Sequence, residues 1–216
     1  MDIPFTTDEF LGVFEAYNLA IQPAQIVAYI LGISAVVFSI IRSRYSSAII
    51  FAILAMFWGW VGVVYHIYYF SDINQAAYVF GTFYIVQAIL LLYAASTRID
   101  LDFRFEYGVM SIVGAVFIMY AMVIYPILNY LFGHAYPGMP VFGITPCPLT
   151  VFTFGILLLA KAKVPLYLIA IPFLWSLIGI SAAINLEIVE DYGLVVAGVI
   201  GTILIVLRKY EFIQAS

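Results

Sequence analysis

Residues 48–69 read AIIFAILAMFWGWVGVVYHIYY and carry no formal charge. An apolar stretch of about 20 residues is long enough to cross the hydrocarbon core of a bilayer as a helix. Six further stretches have the same character, the fourth of them being the shortest: residues 25–41, 75–95, 107–132, 149–162, 165–185 and 192–207. We therefore predict an all-α, polytopic membrane protein with seven transmembrane helices.

The composition of the whole chain supports this class. The 216 residues are 66% hydrophobic and 9% charged, with a mean hydropathy of +1.13, as expected for a chain whose solvent is lipid. We predict a single integral membrane domain over residues 1–216, divided into an outer segment (1–22), a bundle (23–207) and a cytoplasmic tail (208–216). The net charge of −4 argues against nucleic acid as a partner.

All basic residues fall on one side of the membrane when the seven segments are threaded in order: Arg42, Arg44, Arg98, Arg104, Lys161, Lys163, Arg208 and Lys209. The positive-inside rule makes that side cytoplasmic. We predict a plasma (inner) membrane protein with an extracytoplasmic N-terminus and a cytoplasmic C-terminus. The acidic residues 1–15 indicate a short amphipathic helix, capped near Thr7, with Phe10, Leu11 and Phe14 along one side. We expect this helix to lie at the outer interface of the membrane.

One segment, residues 133–148, is not typical of a plain helical bundle. It reads GHAYPGMPVFGITPCP, with four prolines, three glycines and no formal charge. The apolar segment that follows is only about 21 Å long as a helix, shorter than a hydrocarbon core of ~30 Å. We expect the non-helical loop to dip below the outer surface, because irregular backbone at that depth must be covered by protein or line a cavity. It marks either a binding site or a plug that closes the bundle.

The predicted topology places the reactive side chains on the outer face. These are both histidines, the single cysteine and three carboxylates: His66, His134, Cys147, Glu187, Glu190 and Asp191. If they converge, with Met139, the set suits copper or zinc better than calcium or magnesium. Structural roles are the alternative: an interfacial histidine, a helix-capping histidine, a small buried thiol and carboxylates at a helix N-terminus.

Other cofactors and pocket residues follow from the same arrangement. Haem b is possible if the two histidines ligate it axially within an aromatic pocket formed by Trp58, Trp60, Tyr65 and Phe132. Tyr136 and Gln87 are further candidates for a pocket wall, although Gln87 also fits an interhelical hydrogen bond. Retinal is excluded because residues 192–207 contain no lysine. The scarcity of charged residues inside the helices argues against proton-driven transport.

Several short motifs point to a family. They are Phe57-Trp58-Gly59-Trp60, Tyr65-His66, Gly133-His134 with Tyr136-Pro137, Pro146-Cys147-Pro148 and Phe152-Thr153-Phe154-Gly155. With these motifs the chain resembles an uncharacterised family of bacterial polytopic membrane proteins, a domain of unknown function. The resemblance covers nearly the whole chain, from the region of residues 14–23 to residues 191–198. It implies a shared architecture and assigns no activity.

These observations favour a binding role over catalysis. We expect an outward-facing pocket under loop 133–148 that binds a transition metal or another small ligand, for handover or transport. A structural or accessory subunit of a larger membrane complex, or of a homo-oligomer, is the second interpretation. A haem-binding redox subunit is the third.

Overall fold

The computed structural model describes residues 4–41, 43–97, 99, 101–186 and 188–214, with side chains except at residues 182 and 209–214. Within those ranges every regular element is a helix, so the all-α prediction is confirmed. The helices are α1 (Thr7–Ala20), α2 (Ala24–Ile40), α3 (Ser46–Asp72), α4 (Ala77–Ser96), α5 (Val109–Leu131), α6 (Pro146–Leu158), α7 (Tyr167–Asn185) and α8 (Tyr192–Gln214).

All seven apolar segments form helices, but they differ in length. In the described part of the chain five helices are long and apolar enough to cross a membrane: α3, α4, α5, α7 and Val189–Arg208, which includes most of α8. A sixth span results only if α1 and α2 are counted together, and these two are bent by 88°. The predicted seven spans and their orientation are not confirmed by these helices and stay predictions.

The short helix α6 lies at the centre of the bundle. It contacts α2, α3, α5, α7 and α8, and every one of its residues except Cys147 is buried. The other helices present apolar side chains outward, for example Ile26, Ile30 and Ile33 of α2. Because α6 is surrounded by protein, its 13 residues do not have to match the thickness of a bilayer.

The C-terminal end of α6 is closed by groups from distant parts of the chain. The guanidinium of Arg208 donates hydrogen bonds to the carbonyls of Ala160 and Leu158, the latter at 3.0 Å. The Lys161 backbone N–H donates to the Leu101 carbonyl at 2.9 Å. Helix ends leave carbonyls without intrahelical partners, and the Arg208 guanidinium satisfies those of Leu158 and Ala160 inside the protein. Leu101 is buried, so the connection between α4 and α5 packs against the end of α6.

Glycines allow two helix pairs to approach backbone to backbone. A Cβ atom on Gly114 of α5 would lie 2.7 Å from the carbonyl oxygen of Gly155 in α6. A Cβ atom on Gly62 of α3 would lie 2.9 Å from the carbonyl oxygen of Gly81 in α4. Such distances leave no room for a side chain, so both crossings depend on glycine. The second crossing lies where α3 becomes a π-helix, over Val61–Tyr69.

Helix α1 begins with the predicted cap, one residue earlier than expected. The Thr6 hydroxyl accepts a hydrogen bond from the Glu9 backbone N–H at 3.2 Å, and the Glu9 carboxylate accepts one from the Thr6 N–H at 2.7 Å. This reciprocal pair is a capping box. The buried face of α1 carries Phe10 and Phe14, and Phe14 stacks on Tyr65 of α3. The position of α1 at the outer membrane interface stays a prediction.

The non-helical loop is held under α1. The Tyr17 hydroxyl donates to the Ile144 carbonyl at 2.7 Å, and the Asn18 side-chain amide donates to the carbonyls of Pro137 and Met139 at 2.7 and 2.8 Å. Residues 140–145 are all buried. Since buried carbonyls need partners, α1 supplies the hydrogen bonds that allow this irregular segment to lie inside the protein.

Candidate functional site

A cavity of about 570 Å³ lies at the end of the bundle that carries α1. The C-terminal parts of α3 and α7 meet the N-terminal parts of α4 and α6 there, and the start of α8 completes the wall. Most of the lining is apolar, and its aromatic members are Phe5, Phe10, Phe14, Tyr65, Phe70, Phe80 and Trp175. Pockets of this size and character are typical of sites for small organic molecules.

His66 is the most informative polar group on this wall. It lies in the π-helical stretch of α3, and only 1% of its surface is exposed. Neither ring nitrogen has a hydrogen-bond partner among the described residues. The imidazole is surrounded by rings, with centroid distances of 4.8 Å to Tyr84 and 5.1 Å to Trp175. Buried polar atoms normally have a partner, so the two nitrogens are available to a molecule in the cavity.

Trp175 adds a donor beside His66. Its indole Nε1 is also buried and lacks a hydrogen-bond partner in the part of the chain that the structure describes. The Cys147 thiol lies close to this indole and to the carboxyl group of Asp191. Cys147 is the only residue of α6 that is not fully buried, and it faces the cavity.

Asp191 brings a carboxyl group to the same wall. It is 2% exposed and lies in the 3₁₀ turn before α8. The hydroxyl of Tyr125 in α5 donates a hydrogen bond to Asp191 Oδ1 at 2.5 Å. A short hydrogen bond to a carboxylate oxygen is strong and fixes the orientation of the group. Asp191 is thus held in place from the α5 side while it lines the cavity.

The neighbouring residue, Glu190, belongs to a separate pair. Its Oε1 lies 2.8 Å from Nδ1 of His134, while its Oε2 is buried without a hydrogen-bond partner among the described residues. The Glu190 side chain is fully buried and that of His134 is 16% exposed. Neither residue lines the cavity. This pair joins the start of the non-helical loop to the start of α8.

The structure brings together four of the residues singled out from the sequence. His66, Cys147, Asp191 and Tyr65 line the one cavity, and His134 and Glu190 pair beside it. Met139 does not line the cavity, and its carbonyl is bonded to Asn18. Glu187 lies outside the described residues.

The remaining predicted pocket residues have structural partners elsewhere. Trp58 donates to the Thr153 hydroxyl at 3.0 Å, and Trp60 donates to the Tyr17 hydroxyl at 2.8 Å. Gln87 donates to the Leu168 carbonyl at 2.9 Å. This is the interhelical hydrogen bond that was predicted from the sequence as the alternative to a pocket role. Tyr136 is exposed, and its hydroxyl accepts from Gln22 at 2.6 Å. None of these four predicted residues lines the cavity.

The donor groups do not form a metal centre in the described part of the chain. No group of three His, Cys, Asp or Glu side chains there is placed to hold a metal ion. For haem, His134 would have to face His66, but His134 is paired with Glu190 and lies off the cavity wall. The chemistry of the wall is therefore that of a hydrogen-bonding apolar pocket.

Two of the residues missed from the sequence provide polar groups at the site. Trp175 lies mid-way along an apolar helix, and nothing in its local pattern distinguishes it from the other aromatic residues, which form 18% of the chain. Tyr125 precedes Pro126 inside α5, and its partner is 66 residues away. Only the packing of α5 against the start of α8 reveals that contact.

Comparison with known proteins identifies a family but no individual related protein. No curated protein and no solved structure matches the chain. One family model matches residues 7–215, a range that includes all eight helices. It is described as a family of unknown function. The chain therefore belongs to the Family of unknown function (DUF6064).

Proposed function

We propose that this protein is an integral membrane protein that binds a small, largely apolar molecule with a polar end in the cavity around His66. The observation that carries the proposal is a buried imidazole in the wall of a cavity of about 570 Å³, with two nitrogens that have no hydrogen-bond partner among the described residues. A buried polar group without a hydrogen-bond partner costs about 1–3 kcal/mol of stability. An occupant that supplies a donor or an acceptor removes that cost.

The proposal includes an orientation. Arg104, Lys161 and Arg208 lie near the C-terminal end of α6, at the opposite end of the bundle from the cavity. By the positive-inside rule that basic end is cytoplasmic, and the cavity is extracytoplasmic. The apolar outer surfaces of α2 and the long helices support a location in the bilayer. We place the protein in the plasma membrane on these grounds.

Transition-metal and haem binding have less support than an organic occupant. The described histidines lie at different places, one on the cavity wall and one in a pair with Glu190. A metal centre needs three or four converging donors, which the described residues do not provide. Transport or handover of the bound molecule is compatible with a cavity at one end of the bundle, and it stays a further proposal.

The test is identification of the occupant. Protein purified in native lipid nanodiscs is analysed by native mass spectrometry, followed by solvent extraction and identification of any bound species. We expect wild-type protein to carry a small molecule of defined mass and His66→Phe to lose it, because Phe keeps an aromatic ring without its nitrogens. Gln87→Met is the matched control, since Gln87 is also buried and polar but lies off the cavity.

Two results would contradict the proposal. One is the absence of any bound species from wild-type protein together with no binding of added small molecules. The other is equal retention of the species by wild type and His66→Phe. Co-purification of a stoichiometric second chain from the same nanodiscs supports the accessory-subunit interpretation instead.

A further inference from the structure

The cavity wall carries one kind of charge. Among its described lining residues the only formally charged side chain is that of Asp191, and none is Lys or Arg. An anionic molecule would meet a carboxyl group and no counter-charge, which is unfavourable in an apolar site. The wall therefore selects against anions and leaves neutral and cationic molecules as candidates.

The surrounding charges favour a cation. Glu190 and Asp191 are both buried, at 0% and 2% exposure, and one basic side chain, His134, contacts this pair of carboxylates in the described part of the chain. That contact is made to Glu190, whereas the neighbours of Asp191 are neutral groups, the Tyr125 hydroxyl and the Cys147 thiol. Buried carboxylates are normally paired with a positive group or protonated. A cation in the cavity would supply the missing positive charge.

The rest of the wall is suited to an organic cation. Tyr65, Phe70 and Trp175 all line the cavity that Asp191 closes. Aromatic faces attract ammonium groups, and Trp does so most strongly. His66, with its two unpartnered nitrogens, is a second and independent indication that this wall receives a polar group. The volume of about 570 Å³ is far larger than an inorganic ion needs, so an organic cation fits the cavity better.

From these observations we infer that the molecule bound in this cavity is an organic cation, an amine or quaternary ammonium on an apolar body, whose positive end lies against Asp191 within the aromatic wall. This inference rests on the proposed function and names the class of its ligand. A cavity that is merely apolar behaves differently, because it prefers a neutral molecule over a cation that must be removed from water.

The experiment compares benzyltrimethylammonium with neopentylbenzene, in which carbon replaces the positive nitrogen. Binding to nanodisc-embedded protein is measured by equilibrium dialysis, and partitioning into protein-free nanodiscs is subtracted. We expect wild-type protein to bind the cation at least about tenfold more tightly than the neutral compound. Asp191→Asn should abolish this preference by weakening binding of the cation.

Two further variants make the comparison specific. Asp72→Asn removes an exposed carboxylate at the same end of the bundle and should keep the preference, because water screens that charge. Trp175→Leu keeps an apolar wall without the indole and should weaken binding of the cation more than binding of the neutral compound. It provides an independent test if Asp191→Asn does not fold.

The outcomes separate the two proposals. Equal binding of both compounds, or tighter binding of the neutral one, overturns the inference, while the proposed small-molecule site stands. An unchanged cation preference in Asp191→Asn and Trp175→Leu also overturns it. If neither compound binds and no native occupant is found, both proposals are contradicted.

Discussion

The Nδ1 atom of His134 lies 2.8 Å from the Oε1 atom of Glu190, and this contact ties the loop before α6 to the start of α8. The Glu190 carboxylate is fully buried and its other oxygen has no hydrogen-bond partner among the described residues. We predict that His134→Ala lowers the free energy of unfolding by about 1–3 kcal/mol, because a buried carboxylate loses its basic partner. Denaturant titration in detergent measures the change.

A double-mutant cycle shows whether the contact between His134 and Glu190 is responsible for this loss of stability. Glu190→Gln removes the charge that needs His134, so His134→Ala should be less damaging in that background. We expect a coupling free energy of about 1 kcal/mol or more between the two sites. Strictly additive effects would mean that the two side chains do not interact in the folded protein.

The crossing of α5 and α6 gives a second prediction. Gly155→Ala should destabilise the protein by about 1–3 kcal/mol, because its Cβ atom would lie 2.9 Å from the carbonyl oxygen of Gly114. Gly12→Ala is the matched control, since Gly12 is exposed within α1 and nothing lies within 4 Å of its added Cβ atom. It should stabilise the protein by up to about 1 kcal/mol. Thermal unfolding of both variants in one detergent tests the pair, and a similar shift for both would refute this account of the crossing.

The end of α6 provides a third prediction. Arg208→Met keeps an unbranched apolar stem but removes the donors to the carbonyls of Leu158 and Ala160. We expect a loss of about 1–3 kcal/mol in stability, because these buried carbonyls lose hydrogen bonds from a charged group. Lys163→Met, at an exposed position of the same end, removes an equal charge and should change stability by less than about 0.5 kcal/mol. Amide hydrogen exchange at the last turn of α6 should rise in Arg208→Met only.

The helices of this protein could be predicted from the sequence because apolar length is a local property. The apolar length of residues 48–69 predicts a helix without knowledge of the rest of the fold. Because successive helices run in opposite directions, His66, Cys147 and Asp191 then lie at one end of the bundle. That shared end follows from the order of the segments and needs no knowledge of packing. The non-helical loop was predicted in the same way, from its prolines and glycines, but it ends at Thr145, because Pro146 already begins α6.

The faces of the helices could not be predicted, because rotation about each axis is set by packing. Trp58 and Trp60 point to Thr153 and Tyr17, while Trp175 occupies the place on the cavity wall expected for them. The π-helical stretch over Val61–Tyr69 also shifts the phase of α3 around His66, which an ideal helical repeat does not anticipate. In an aromatic-rich chain the identity of the lining rings therefore depends on contacts distant in sequence.

The last prediction concerns metal removal. We expect purified protein to contain well under one copper or zinc atom per chain, and EDTA to leave its melting temperature unchanged, because the described His, Cys, Asp and Glu side chains do not converge in groups of three. Elemental analysis and thermal unfolding with and without chelator provide the measurements. Glu187 lies outside the described residues, so Glu187→Gln is analysed alongside His66→Phe. A stoichiometric metal that is lost in both variants, with a lower melting temperature, would establish a metal centre at this end of the bundle and replace the organic ligand as the occupant of the site.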